Sequence, residues 1–151
     1  ASSWESFRLV SHHMGRAGTD FMVSAVDSLM PPAETARFAR SARDCKAAAA
    51  LALTSFVDDE KPLWADLSGG RVSALGADAV ERRYVTAGLY YLTCDLAAAM
   101  PAPQAYGSLR AYLGALVRDR AVAGIPISKT LDVDRPEDIS QAEAFVQWPI
   151  A

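Results

Sequence analysis

What the sequence has little of already limits what it can be. No apolar run approaches the roughly 20 residues of a membrane-spanning helix; the richest, Ala47 to Leu53, is short and mostly alanine. The amino terminus lacks the basic-then-apolar pattern of a secretory signal. Cysteine is scarce: Cys45 and Cys94 lie far apart, in no metal-binding spacing, and both are expected to be reduced and buried. Positive charge is not in excess, since 15 Lys and Arg against 18 Asp and Glu leave a formal charge of −3. That balance provides no basic face for nonspecific nucleic-acid binding. Ser6, Ser11 and Ser55 sit in no nucleophile-elbow sequence, which disfavours serine hydrolysis. Repeats, low-complexity tracts and linkers are likewise missing. These absences point to a cytoplasmic globular protein that engages neither membrane nor nucleic acid.

What is present is enough apolar material for a real core. Hydrophobic residues make up 51% of the 151 residues and charged ones 22%, too well mixed for disorder and sufficient for one domain over residues 1–151. Ser2 and Glu5 have capping-box spacing ahead of a helix whose Trp4, Phe7 and Val10 or Met14 share a face. Phe21 to Val26 is a short apolar run stopped by Asp27, the pattern of a buried strand. Pro31-Pro32 opens a helix through about Lys46. Ala47 to Phe56 reads as a strand because it ends in Thr54-Ser55-Phe56-Val57 and lies between turns. Ser68-Gly69-Gly70 joins Leu63–Leu67 to Arg71–Leu75 as a hairpin. Tyr84 to Thr93 is β-rich. Leu109, Tyr112, Leu113, Leu116 and Val117 mark an amphipathic helix. Val122 to Val133 is extended, and Pro136 starts a last helix expected to turn Ile139, Ala142, Phe145 and Val146 inward. Strands alternating with helices predict an α/β layered domain with a mixed, mainly parallel sheet.

Two carboxylate-bearing strand ends carry the chemistry. One is Ser24 to Leu29, around Asp27; the other is Leu131 to Ile139, around Asp132 and Asp134. Ligands of open α/β sheets gather beyond the carboxyl ends of strands, and magnesium takes one or two carboxylates alongside water and phosphate. A second reading stands for each. Asp134 and Glu137 have capping-box spacing, so Asp134 equally suits the cap of the last helix; Asp27 equally suits a turn before Pro31-Pro32. The run Asp58-Asp59-Glu60 could collect a cation or form a solvated loop.

The segment Lys129-Thr130-Leu131-Asp132-Val133-Asp134-Arg135-Pro136-Glu137-Asp138-Ile139, followed by Ala142-Glu143, resembles the closing motif of the nucleotidyltransferase superfamily, which includes sugar-phosphate nucleotidyltransferases and molybdenum-cofactor guanylyltransferases. Val85 to Tyr91 is similar to that family's strand with a glycine against the sugar, and Phe21 to Leu29 to its magnesium-binding strand end. Asp58 to Leu75 looks like its acceptor-side hairpin. The family's glycine-rich phosphate loop has no counterpart in the 151 residues, and Gly69-Gly70 lacks the following helix that such a loop needs. Glu60-Lys61-Pro62 spells a tripeptide found in some members, but before the hairpin rather than after it.

The resemblance implies a three-layer, Rossmann-like, nucleotide-diphospho-sugar transferase-like domain with its N-terminal part missing, residues 1–151 being the C-terminal two thirds. It implies transfer of a nucleotidyl group from a nucleoside triphosphate to a phosphorylated acceptor, with Mg²⁺ as cofactor. Asp27 and either Asp132 or Asp134 would hold the metal, Thr86 and Gly88 would meet substrate, and Lys129 would contact phosphate or stand as an exposed strand-end lysine. A sheet without its first strands has an unpaired edge, which favours a homodimer.

Overall fold

The computed structural model describes residues 1–57 and 60–146; Asp58 and Asp59 of the acidic run lie outside them. Helix α1 (Ser3–Gly15) begins where the Ser2 hydroxyl accepts the Glu5 amide at 3.1 Å, and it turns Trp4, Phe7 and Ser11 inward. Val10 and Met14 face outward instead. Strand β1 (Phe21–Ser24) and the short β2 (Ser28–Leu29) lead to α2 (Pro32–Asp44), with proline tolerated in its first turn. Strand β3 (Ala49–Thr54) is buried at every residue, which fits its run of small and aliphatic side chains. The hairpin of β4 (Trp64–Ser68) and β5 (Arg71–Leu75) turns at Gly69 and Gly70, both at positive φ. Then come β6 (Tyr84–Leu92), α3 (Cys94–Ala98), α4 (Leu109–Asp119), β7 (Val122–Pro126), β8 (Leu131–Asp132) and α5 (Asp138–Val146).

Six strands form one sheet in the order β1-β6-β3-β7-β5-β4, with β4 also touching β6. Strands β1, β3 and β7 run in one direction, and β6 lies antiparallel between β1 and β3. The sheet is mixed as expected, but among the described residues its one parallel ladder is β3–β7. The reversed β6 and the hairpin, whose tight turn can join only antiparallel strands, account for the difference from a mainly parallel sheet.

Side chains alternate between two cores, making three layers. On one face Leu51, Leu53, Tyr90, Leu92 and Val122 pack under α1, α3 and α4 with Trp4, Phe7 and Leu113. On the other, Ala50, Ala52, Leu89, Tyr91 and Ile125 pack under Phe38 and Ala42 of α2. Two expectations fail. Cys45 is exposed and Cys94 half-buried, because both stand at helix ends rather than on inward faces. Helix α5 turns no buried residue inward: Ile139 is 51% and Val146 68% exposed. Its principal neighbour is the two-residue β8, too small to cover an apolar face.

Candidate functional site

The shared direction of β1, β3 and β7 sends their carboxyl ends to one edge of the sheet. Asp27 follows β1, Phe56, Val57, Glu60 and Lys61 follow β3, and Lys129 to Asp134 follow β7. Two sets of bonds fix the exits. Ile127 donates its amide to Leu53 O at 2.7 Å, and the Thr54 hydroxyl donates to Ser128 O at 2.9 Å. From α2, Glu34 accepts the Ser128 amide at 2.7 Å while Arg37 donates to Pro126 O at 2.6 Å and pairs with Glu34 at 3.0 Å. The Arg37 hydrogen bond is the main cause holding the Glu34 carboxyl below the usual range.

Beyond this edge, β2 and β8 form a separate antiparallel ribbon in which Ser28 faces Asp132 and Leu29 faces Leu131. The Asp27 carbonyl accepts the Val133 amide at 3.0 Å, so Asp27 lies beside the residue separating Asp132 from Asp134. Residues over a hundred positions apart therefore meet, though through this ribbon rather than as neighbouring parallel strand ends of the main sheet. The Ser28 hydroxyl donates to Asp132 Oδ1 at 2.7 Å. Gly88, at φ +70, packs against the same ribbon; its carbonyl accepts the Ala25 amide at 2.8 Å. The bare side of that glycine meets Ser28 and Ala25, and a Cβ there would come 2.5 Å from Ser28 Oγ. Thr86, half-buried two residues earlier, donates its amide to Leu63 O at 3.0 Å.

Tyr90 lies behind this group. Burial pushes its phenol up to about 12; the charge of Arg110 opposes the shift, and those of Asp132 and Asp27 add to it.

A cavity of about 490 Å³ opens at the ribbon, lined by Glu60, Lys61, Asp132, Asp134, Arg135, Asp138 and Gln141. Arg135 pairs with Glu60, and Arg110 donates to the Lys61 carbonyl, tying α4 to the loop after β3. The Asp138 carboxylate accepts the amides of Asp134 at 3.1 Å and Arg135 at 2.9 Å. Asp138, not Asp134, therefore closes the turn into α5, which begins two residues later than Pro136 suggests.

Of the expected residues, Asp132 and Asp134 line this cavity, and Asp27, Thr86, Gly88 and Lys129 do not. The Lys129 ammonium lies 4.3 Å from the centre of the Phe56 ring and 6.0 Å from that of Phe145, a cation–π arrangement. Glu60 and Lys61, conversely, gain a place that their position before the hairpin did not suggest. The available signal was that they follow β3, a strand ending at the same edge as β1 and β7. Among the described residues, no three His, Cys, Asp or Glu side chains converge as a preformed metal cluster.

No protein-family model matches the chain, and no curated protein does. Solved structures do. The inositol-1-phosphate CTP transferase from T. maritima aligns with a TM-score of 0.66 at 18% identity, over 88% of this chain and 58% of its own. A structure of UDP-glucose pyrophosphorylase aligns with a TM-score of 0.66 at 14% identity, over 92% of this chain and 58% of its own. The nucleoside-diphosphate-sugar pyrophosphorylase from Vibrio cholerae RC9 aligns at 0.54 and 12%, over 91% and 63%. The chain thus spans about three fifths of the length of these proteins. It has the nucleotide-diphospho-sugar transferase-like fold, the fold of the nucleotidyltransferase superfamily that its sequence resembles.

Proposed function

We propose that the chain takes part in magnesium-dependent nucleotidyl transfer, moving a nucleotidyl group from a nucleoside triphosphate to a sugar phosphate or similar phosphorylated acceptor with release of pyrophosphate. The observation that carries this reading is the cavity that Asp132 and Asp134 line with Lys61 and Arg135, beside the ribbon strand that Asp27 enters, at the edge where β1, β3 and β7 end. An acceptor phosphate attacking the α-phosphorus needs placement and charge neutralisation more than covalent help.

The donor set fits magnesium. Its hard carboxylates come from both sides of the ribbon, Asp27 bonded through its carbonyl to the Val133 amide and Asp132 and Asp134 flanking that residue, and this ion takes one or two carboxylates and keeps water and phosphate for the rest. Asp27 with Asp132 or Asp134 would hold it, and the bound ion would neutralise charge on the phosphates. Lys61 and Arg135 supply positive charge on the cavity wall. Thr86 would meet the acceptor, whereas Gly88, whose open face is taken by Ser28 and Ala25, would seat the ribbon instead. Lys129 would leave Phe56 to reach phosphate. In this reading residues 1–151 are the C-terminal two thirds of the catalytic domain, acting in the cytoplasm as a homodimer.

One observation favours a second reading, a non-catalytic binding or assembly protein on the same scaffold: among the described residues no three His, Cys, Asp or Glu side chains converge on one point. Pyrophosphate release from a panel of nucleoside triphosphates with sugar phosphates separates the two readings. Turnover that is lost in Asp27→Ala and Asp132→Ala supports transfer. Magnesium–nucleotide binding without turnover supports the second reading, and equally poor binding by the unaltered chain and both variants overturns the first.

A further inference from the structure

We infer that Ser28 is a positioning residue for Asp132, selecting it over Asp134 as the carboxylate presented to a divalent cation; this rests on the cation reading proposed above. Three features converge. Ser28 stands opposite Asp132 in the β2–β8 ladder, so both side chains rise on one face of the ribbon. Its hydroxyl donates to Asp132 Oδ1 at 2.7 Å, the short distance of a charge-assisted bond. And β6 gives up a side chain where that hydroxyl sits: a Cβ at Gly88 would lie 2.5 Å from Ser28 Oγ and 3.3 Å from Ser28 Cβ.

The hydroxyl leaves the carboxylate its charge and fixes its orientation, as outer donors do for ligating groups. Asp134 differs. It is exposed, and the bond that fixes it runs from its backbone amide to Asp138. A carboxylate held in one rotamer loses less entropy on binding a cation than one free in solvent.

Mn²⁺ is the probe, bound to the 151-residue chain and followed by water-proton relaxation, with the thermal midpoint recorded for each variant. Ser28→Ala should weaken Mn²⁺ binding about tenfold, and Ser28→Thr, which keeps the hydroxyl, should restore most of it. Asp132→Asn should abolish binding, while Asp134→Asn should leave it closer to that of the unaltered chain. A purely structural serine would lower the thermal midpoint without changing Mn²⁺ affinity. Should Ser28→Ala unfold, Ser28→Cys carries the same comparison, since a thiol fills similar space but donates weakly. Loss of binding in Asp132→Asn with none in the Ser28 variants overturns the Ser28 role alone. No Mn²⁺ binding by the unaltered chain, or binding indifferent to Asp132→Asn, overturns the cation reading and this role with it.

Discussion

Gly88 shows how a single missing Cβ organises the site. At φ +70 it occupies a conformation that costs a side-chain-bearing residue about 1–2 kcal/mol, and its bare side is filled by Ser28 and Ala25. Gly69, at φ +57, shares the backbone demand but has nothing within 4 Å of its would-be Cβ. Gly88→Ala should therefore cost more than Gly69→Ala by about 1–3 kcal/mol of overpacking, read from denaturant midpoints. Equal losses would show that the close approach to Ser28 relaxes freely. The tyrosines give a second test at this scale. Burial raises the phenols of Tyr90 and Tyr112 from 10.0 to about 12. A raised value leaves stability intact below pH 10 and removes it as pH climbs from 10 towards 12, because the unfolded chain releases those protons first. Phenolate absorbance should show these two tyrosines ionising together with unfolding; smooth titration of all five tyrosines near pH 10 in a folded chain would contradict the burial argument.

Among the elements, the link from α2 to the strand exits deserves a direct measurement. Glu34 and Arg37 hold the two sides of the loop that leads from β7 to the ribbon. Arg37 keeps the Glu34 carboxyl below its ordinary value, so its contribution is present above that value and fades as pH falls through the lowered one. Glu34→Gln should cost no more than about 1 kcal/mol at neutral pH, since the pair is partly exposed, and should flatten the acid limb of the stability curve. Amide exchange at Ser128 should quicken. Unchanged exchange would mean the loop is held by Thr54 instead.

The strands and helices of the main sheet were legible because each bears a strong local pattern: glycines in the hairpin, the i, i+3, i+4 spacing of α4, the doubly covered run of β3. The ribbon was not. Ser28–Leu29 and Leu131–Asp132 are two residues each, too short for any periodicity, and they pair across more than a hundred residues. Asp27, Asp132 and Asp134 could still be singled out, because carboxylates after apolar strands announce themselves. Ser28, Tyr90, Arg110 and Lys61 join the site through tertiary packing that spacing does not encode. Helix α5 misled for the opposite reason: its apolar positions have the right spacing, yet sequence does not say whether anything lies against them.

For the molecule as a whole, the uncovered surfaces are the outstanding feature. Among the described residues β1 is hydrogen-bonded to β6 alone, at the end of the sheet. It carries none of the charges or prolines that blunt an edge, and Met22 on it is 39% exposed. Leu9, Val10 and Met14 on the neighbouring α1 are exposed as well. On the far side of the ribbon, Ile139, Ala142 and Val146 of α5 line a shallow cavity with Val133. A bare edge flanked by apolar side chains pairs readily with another strand, and an antiparallel match of two β1 strands about a two-fold axis satisfies both at once. The chain should therefore self-associate at micromolar concentration, with light scattering giving twice the 16.2 kDa chain mass. Met22→Lys places a charge on the edge and should restore the monomer, whereas Ile139→Glu should leave the association intact. If the unaltered chain runs as a clean monomer, the edge does not pair. If only Ile139→Glu disperses it, the contact lies on α5 and β1 is a bystander.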